Sequence, residues 1–377
     1  MLLGKNKNKL KNIKFFFRLF IPEKNKILIF DEEGSEDLVQ YVLPDVKNTK
    51  VYDLKVFTIY FNINFILKFL KNLMSTYVND FSFIKKIYII YIKTEIEFID
   101  PQIIITYNDD NCIYHDLTYM IKNRVFIAIQ NGLRERFIRD RIKHSINHDY
   151  LYCFGLIDRK KNTSTNWIVK NLRPVGSLRA GIALSKFNSF KKQYDICLIS
   201  EYEPRKKNDP DNHHWNDHWL FVTEIMAELL KKRNYRIIVA LNGHGGIRER
   251  DYFQSILPSN AVFTNLNTKL DSYRAIMESD VTVGFCSTLL LESLALNSKV
   301  LQINTAQDNS YFEFDSKFIH EYSQIDKLEK RIDELISIPY DSYRKSIKNF
   351  IPEYMNIDKK NLPQAQINQN IKDILLN

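Results

Sequence analysis

The segment DVTVGFCSTLLLESLALNSKVLQIN, residues 280–304, holds two short continuous apolar runs, VTVGF and KVLQI, on either side of a small-residue turn and an apolar helical opening. Runs of this length without alternation read as strands buried on both faces, and strands joined through a helix pair in parallel. The segment therefore predicts half of a parallel α/β sheet. Gly284, Ser287 and Thr288 stand where the first strand hands over to the helix. Backbone N–H groups and two hydroxyls converge there on a helix N-terminus, a ready site for a phosphate group. Glu292 follows Thr288 by about one helical turn on the same face, where an acceptor can hold ribose hydroxyls. The plainer alternative is a core helix capped by Ser287 or Thr288, with Glu292 turned to solvent.

The full 377 residues predict two domains of ordinary size, and 45% hydrophobic with 13% aromatic residues is enough apolar material for two cores. No run of about eighteen apolar residues occurs, so no membrane-spanning helix is expected and the chain reads as a soluble, cytoplasmic globular protein. The net charge is +9, yet residues 1–26 hold eight Lys or Arg against the single Glu23, a balance of +7 that leaves about +2 for the remainder. A nucleic-acid protein spreads its basic surface over a folded face, so no nucleic-acid partner is expected. The basic residues surround FFFRLFI, residues 15–21, and this segment is expected either to rest on an anionic inner membrane leaflet or to be a frayed basic tail. Arg18 interrupts the apolar run and no small-residue cleavage site follows, which argues against a secretory signal. Cys112, Cys153, Cys197 and Cys286 show no paired spacing and read as buried thiols in a reducing compartment.

Upstream, KILIF (residues 26–30) is a strand, and Asp31-Glu32-Glu33-Gly34-Ser35 forms its turn into a helix near Glu36. Further strands are expected from Lys50 to Leu54, in PQIIITYNDDN (residues 101–111), in VFIAIQNG (residues 125–132) and in YLYCFG (residues 150–155), with a helix over residues 57–74. These strand ends bring Glu32 and Glu33, then Asp109 and Asp110, then Gln130, Asn131 and Arg134 to one carboxyl edge, where open α/β sheets bind ligands. Pro174, Gly176 and Gly181 punctuate residues 172–181 and mark the domain junction. Strands resume at YDICLIS (residues 194–200) and RIIVAL (residues 236–241), with a polar loop and a helix over residues 217–233 between them. AVFTN and a short helix over residues 269–279 lead into the opening segment, and beyond Ile325 the chain is helical, its tail after Pro352 folding back over the first domain. The expected organisation is a basic segment 1–26, a Rossmann-like domain 27–185, a second over 186–340 and a helical tail 341–377: an α/β chain with two Rossmann-like domains facing across a cleft.

NGHGG after the RIIVAL strand places Gly243, His244, Gly245 and Gly246, with Arg248 following, where the backbone can approach a phosphate closely. The run lacks the Lys of a Walker loop and the spacing of a dinucleotide fingerprint, and a flexible turn is its plain alternative. His213, His214 and His218 invite a metal, but no HExxH pattern accompanies them. Asp109 and Asp110 suggest a divalent ion beside a nucleotide, yet backbone amides, His244 and arginines serve a phosphate without one, so a metal-independent site is expected. Asp31, Glu32 and Glu33 are crowded at one strand end, which favours a proton acceptor among them; the alternative is acids opposing a helix dipole.

ILIFDEEGSEDL, PQIIITYNDDN, IAIQNGLRERF, RPVGSLR and GFCSTLLLESLALNSKVL, in that order along most of the chain, resemble the bacterial surface carbohydrate biosynthesis proteins of O-antigen and capsule assembly. More broadly, two Rossmann-like halves with a nucleotide-like site in the second resemble the GT-B glycosyltransferases. The resemblance implies a donor site over Gly284 to Val300, with Glu292 at the position of the acid that contacts the donor ribose. It implies an acceptor, a glycan or glycolipid, bound mainly by residues before about 185, with Asp110, Gln130, Asn131 and Arg134 as contacts. Glu32-Glu33-Gly34-Ser35 is also similar to the acidic-acidic-Gly motif of bacterial sialyltransferases, whereas His244 is followed by Gly245 in place of their His-Pro pair. The implied activity is transfer of a sugar from a nucleotide-activated donor, CMP- or UDP-linked, with Glu32, Glu33 and Asp109, in that order, as candidates for the general base and no further cofactor. A GT-B-like sugar-nucleotide epimerase or polyol-phosphate transferase, and a catalytically silent scaffold, are the alternatives.

Overall fold

The computed structural model describes residues 14–76, 82–132, 147–158, 168–187, 190–202, 213–243, 245–305, 318–321 and 326–376. A two-stranded parallel ribbon, β1 (Lys14–Arg18) with β4 (Val56–Tyr60), stands beside two six-stranded parallel sheets. The first sheet takes β2 (Ile27–Phe30), β3 (Thr49–Tyr52), β5 (Ile103–Thr106), β6 (Val125–Ile129), β7 (Asn147–Cys153) and β8 (Ile168–Pro174) in the spatial order β3-β2-β5-β6-β7-β8. The second takes β9 (Tyr194–Ile199), β10 (Ile237–Ala240), β11 (Val262–Phe263), β12 (Ser279–Gly284), β13 (Lys299–Asn304) and β14 (Ile319–Glu321) in the order β11-β10-β9-β12-β13-β14. ILIF of β2 and IIIT of β5 are buried at every position, as strands covered on both faces must be. Chain order reverses between β2 and β5 and again between β9 and β12, so each sheet has one topological switch point, the place where such sheets open a crevice for ligands.

The helices are α1 (Ser35–Asp37), running into a π-helical turn over Leu38–Val42, α2 (Ile63–Ser75), α3 (Phe83–Ile99), α4 (Cys112–Met120), α5 (Leu178–Lys186), α6 (His213–Lys232), α7 (Ile247–Ile256), α8 (Asp271–Met277), α9 (Thr288–Ser293), α10 (Leu328–Ser337), α11 (Tyr340–Ile347), α12 (Ile351–Tyr354) and α13 (Pro363–Leu376). Side-chain caps start many of them: Asn62, Ser82, Asn111, Ser177 and Ser287 each accept from first-turn N–H groups of the helix that follows. One apolar core runs through both halves, from Ile27, Ile105 and Ile129 of the first sheet to Cys197, Ile238 and Ile276 of the second. The C-terminal α13 returns to pack on α5 and on the Leu38–Val42 turn, adding Ile367 and Ile371 to this shared core.

Three local expectations change. Residues 57–74 are not one helix: Val56–Tyr60 is a strand, because the apolar run at 15–21 supplies a parallel partner, and only Ile63–Ser75 is helical. The same pairing means that the FFFRLFI segment holds a strand in place of a frayed tail. Of the four thiols, Cys153, Cys197 and Cys286 are buried but Cys112, at the start of α4, is exposed.

Candidate active site

At the carboxyl end of β2, Asp31 adopts a left-handed backbone (φ 80°) that a non-glycine residue holds only when its surroundings fix it. Its N–H donates to the Tyr52 carbonyl at 3.0 Å and its carboxylate accepts from the Asn111 amide at 2.9 Å. Gly34 is also left-handed, and a β-carbon there would lie 2.0 Å from the Tyr107 ring, so the turn after the acids admits no side chain. The result splits the three expected carboxylates. Glu32 is half-buried and ion-paired with Lys55 at the head of β4. Glu33 is exposed in the crevice between β2 and β5, its two oxygens accepting from the side-chain amides of Asn108 (3.2 Å) and Asn131 (3.4 Å). Asp109 is 1% exposed and accepts from the Asn131 backbone N–H at 3.2 Å, so this expected base is turned into the protein.

Three further residues of the expected acceptor wall need correction or placement. Gln130 is buried, accepting from Phe154 N–H at 2.9 Å and donating to the Gly132 carbonyl at 3.0 Å; it ties β6 to the chain beyond β7 and presents nothing to a ligand. Asp110 is half-buried at the same edge, and Arg134 lies outside the described residues.

At the second switch point, between β9 and β12, Glu201 accepts from the backbone N–H groups of Phe285 (3.2 Å) and Cys286 (2.7 Å) through one carboxylate oxygen. At the end of β10, the fully buried Glu249 accepts from the N–H groups of Asn242 (2.8 Å) and Gly243 (3.0 Å) and from the Ser200 hydroxyl. The strand-end amides expected to meet a phosphate are thus held by the chain's own carboxylates. Charge-assisted bonds to main-chain N–H are among the stronger hydrogen bonds, and they fix the ends of β9, β10 and β12 to one another. Gly246 has open space around its α-carbon and Arg248 is exposed, whereas a β-carbon on Gly245 would meet the Tyr202 ring at 2.6 Å. Gly284 is packed tightly against Leu290 and Ile199 and serves strand–helix packing. His244 lies outside the described residues, as do the side chains of His213 and His214, while His218 stacks on Phe285 with ring centroids 5.5 Å apart.

The helix after β12 is short, six residues, so its N-terminus carries only a small dipole. Ser287 caps it, accepting from Leu289 N–H at 3.3 Å, and Thr288 is half-buried beside it. Glu292 does not face the crevice. It is 3% exposed and lies between the halves, accepting from the Tyr273 hydroxyl at 2.9 Å and from the Ser177 hydroxyl at the start of α5. Burial pushes its carboxyl up to about 7, although those hydroxyls and Arg179 pull the other way. Its spacing from Thr288 is as expected, but the Tyr273 and Ser177 hydroxyls hold its carboxylate in the buried contact between the halves. Across the gap, Lys269 of the second half reaches Glu36 beyond β2 at 3.0 Å, joining the two carboxyl edges.

Asn108 was legible beside Asp109 and Asp110 at the strand end, whereas Glu201, Glu249 and Asn111 were missed as site residues. The signal for Glu201 is the one that found Glu33 and Asn108: a polar residue following a buried strand. Glu249 carries no such mark, since it sits in the first turn of α7, beyond the glycine-rich run.

Two Rossmann-like parallel sheets with facing carboxyl edges define the GT-B-like class of α/β proteins. Residues 127–370 match the family described as "putative O-antigen biosynthesis protein", and the chain belongs to that family. Among solved structures, it is similar to a UDP-GlcNAc 2-epimerase from Methanocaldococcus jannaschii in complex with UDP-GlcNAc and UDP, at a TM-score of 0.53 and 12% identity over 94% of this chain and 99% of that one. A UDP-GlcNAc 2-epimerase from Neisseria meningitidis bound to UDP-GlcNAc aligns at a TM-score of 0.48 and 10% identity, over 96% and 100% of the two chains. The wall teichoic acid polymerase TagF aligns at 0.47 and 13%, over 98% and 92%. At these identities the likeness bears on the fold alone. No curated protein matches the sequence.

Proposed function

We propose that the protein transfers a sugar from a nucleotide-activated donor to a growing bacterial surface polysaccharide or glycolipid, at the inner face of the cytoplasmic membrane. The observation that carries this reading is Glu33, an exposed carboxylate held by Asn108 and Asn131 at the first switch point, on the edge that the Lys269–Glu36 pair joins to the second half. In the proposed reaction the acceptor hydroxyl gives its proton to Glu33 as its oxygen bonds the anomeric carbon. The bond from that carbon to the nucleotide phosphate breaks, and the phosphate keeps the electron pair. Its charge is received by the Phe285 and Cys286 N–H groups once Glu201 swings aside, with Gly246, Arg248 and Thr288 nearby. No step in this scheme calls for a metal ion. Membership of an O-antigen family supports the acceptor class.

Thermal-shift measurements with UDP, CMP, GDP and CDP test the donor site, because a ligand that binds only the folded chain stabilises it by about 2.7 kcal/mol at a hundred times its Kd. UDP or CMP should raise the melting temperature, and the corresponding nucleotide sugar should label a lipid-linked or oligosaccharide acceptor. A chain that none of the four stabilises is a scaffold. A chain that converts the sugar nucleotide without acceptor is an epimerase.

A further inference from the structure

Helix α2 turns Phe65 and Asn72 inward but leaves a second, longer apolar stripe on its outer face. Its polar Asn72 is buried and donates to Thr94 (3.0 Å) and Glu97 (2.9 Å) on α3, while Ile63, Ile66, Leu67, Leu70 and Met74, spaced as one helical stripe, point to solvent. Leu67 is 58% exposed and Met74 82%. The stripe is continuous with the ribbon: Asn62, the cap of α2, donates to the Leu19 carbonyl at 3.3 Å, and Phe61 N–H donates to the Arg18 carbonyl at 2.8 Å. Every residue of β1 is exposed, Phe15, Phe16 and Phe17 included, and Phe20 beyond it is 82% exposed. Phe17 stacks on Phe61, so ribbon and helix present one apolar platform, and Phe83 and Ile84 at the start of α3 are exposed as well. A surface this apolar on one side of a domain marks an interaction site.

Charge selects the occupant. Residues 14–22, 54–76 and 82–94 contain no Asp or Glu, whereas Lys14, Arg18, Lys71 and Lys86 are spread through them, and Lys68 pairs with Glu97 at 3.2 Å. A second copy placed on this face by two-fold symmetry would set like charges against one another, and an acidic bilayer surface would neutralise them. We infer that β1, β4 and α2 form a membrane-docking face, which inserts the α2 stripe and the β1 phenylalanines among the acyl chains of an anionic lipid bilayer while the lysines reach the headgroups. The inference goes beyond the basic N-terminal segment, because it assigns the insertion to a helix of the folded domain. It does not depend on the glycosyl-transfer reading.

The test is flotation of the full chain with vesicles containing phosphatidylglycerol and with vesicles of phosphatidylcholine alone. The wild type should float with the phosphatidylglycerol vesicles and only weakly with the neutral ones. Leu67→Glu with Leu70→Glu should lower the partition coefficient about a hundredfold, since each buried leucine is worth about tenfold or more, with the melting temperature unchanged. Lys71→Glu with Lys86→Glu keeps the stripe and should lower binding to phosphatidylglycerol about tenfold or more, and raised salt should mimic it. The inference is overturned by a wild type that stays in the aqueous phase, or by a Leu67→Glu, Leu70→Glu variant that floats like wild type, which assigns binding to the basic segment alone. A wild-type dimer in sedimentation that this variant splits overturns it too, and gives the face to a second copy. Nucleotide stabilisation is read separately, so loss of either result leaves the other standing.

Discussion

At the carboxyl edge of the first sheet Glu33 reaches solvent between two side-chain amides, whereas at that of the second Glu201 and Glu249 turn onto main-chain N–H groups. The donors explain the difference. Asn108 and Asn131 leave Glu33 at the surface, where a proton can reach it, while the N–H groups at the ends of β10 and β12 are fixed by the strands and attract any nearby anion. An open carboxylate suits proton transfer, and a pre-organised set of amides suits a leaving phosphate. Both edges are rich in acids, and only the partner of each acid separates the two roles.

The largest effect should come from the open edge. Glu33→Gln keeps the shape and one acceptor oxygen but removes the charge and one of the two accepted amide bonds, so turnover should fall by about 10²–10⁴ with donor affinity nearly intact. Glu32→Gln, which only breaks a partly exposed ion pair with Lys55, should change turnover little. If the two outcomes are exchanged in steady-state assays, the base is Glu32 and the crevice geometry misleads.

Next in size is the buried contact between the edges. The Glu292 carboxyl has its pKa raised to about 7 in the folded chain, against 4.5 unfolded. Its folded form therefore binds a proton more tightly, and its contribution is intact below about pH 4.5 and lost as pH rises towards 7. Glu292→Gln mimics the protonated form, so the variant should be more stable than wild type by about 3 kcal/mol at pH 8 and equal to it at pH 4. Urea melts at both pH values check this, and a difference that does not change with pH would mean that the Glu292 carboxyl titrates alike in the folded and unfolded chain.

The smallest effect tests the closed edge. Glu201→Gln removes the negative charge that competes with a phosphate for Phe285 and Cys286 N–H, so UDP or CMP should bind about tenfold more tightly by calorimetry. Weaker binding would show that Glu201 supports the nucleotide directly or through the loop it anchors.

The amphipathic and fully apolar patterns along the chain determined the parallel α/β class, the strands of both sheets and the polar residues that follow them. VTVGF, KVLQI, ILIF and IIIT are legible because a strand covered on both faces needs apolar side chains at every position. α3 was not legible: FIKKIYIIYIKTEIEFI is rich in β-branched and aromatic residues, and it is helical because Ser82 caps it and its inward side chains pack on the sheet. Nor did local pattern reveal that β1 pairs with β4, since a strand partner some forty residues away leaves no periodicity of its own. The candidate site divides in the same way. Sequence alone placed Glu32, Glu33 and Asp109 at one edge and Gly243, Ser287 and Thr288 at the other, because residue type and position after a strand are local facts. Which acid is exposed, which amides are already held and which way Glu292 points depend on neighbours distant in sequence, Lys55, Asn131, Glu201 and Ser177, and only the tertiary structure brings these together.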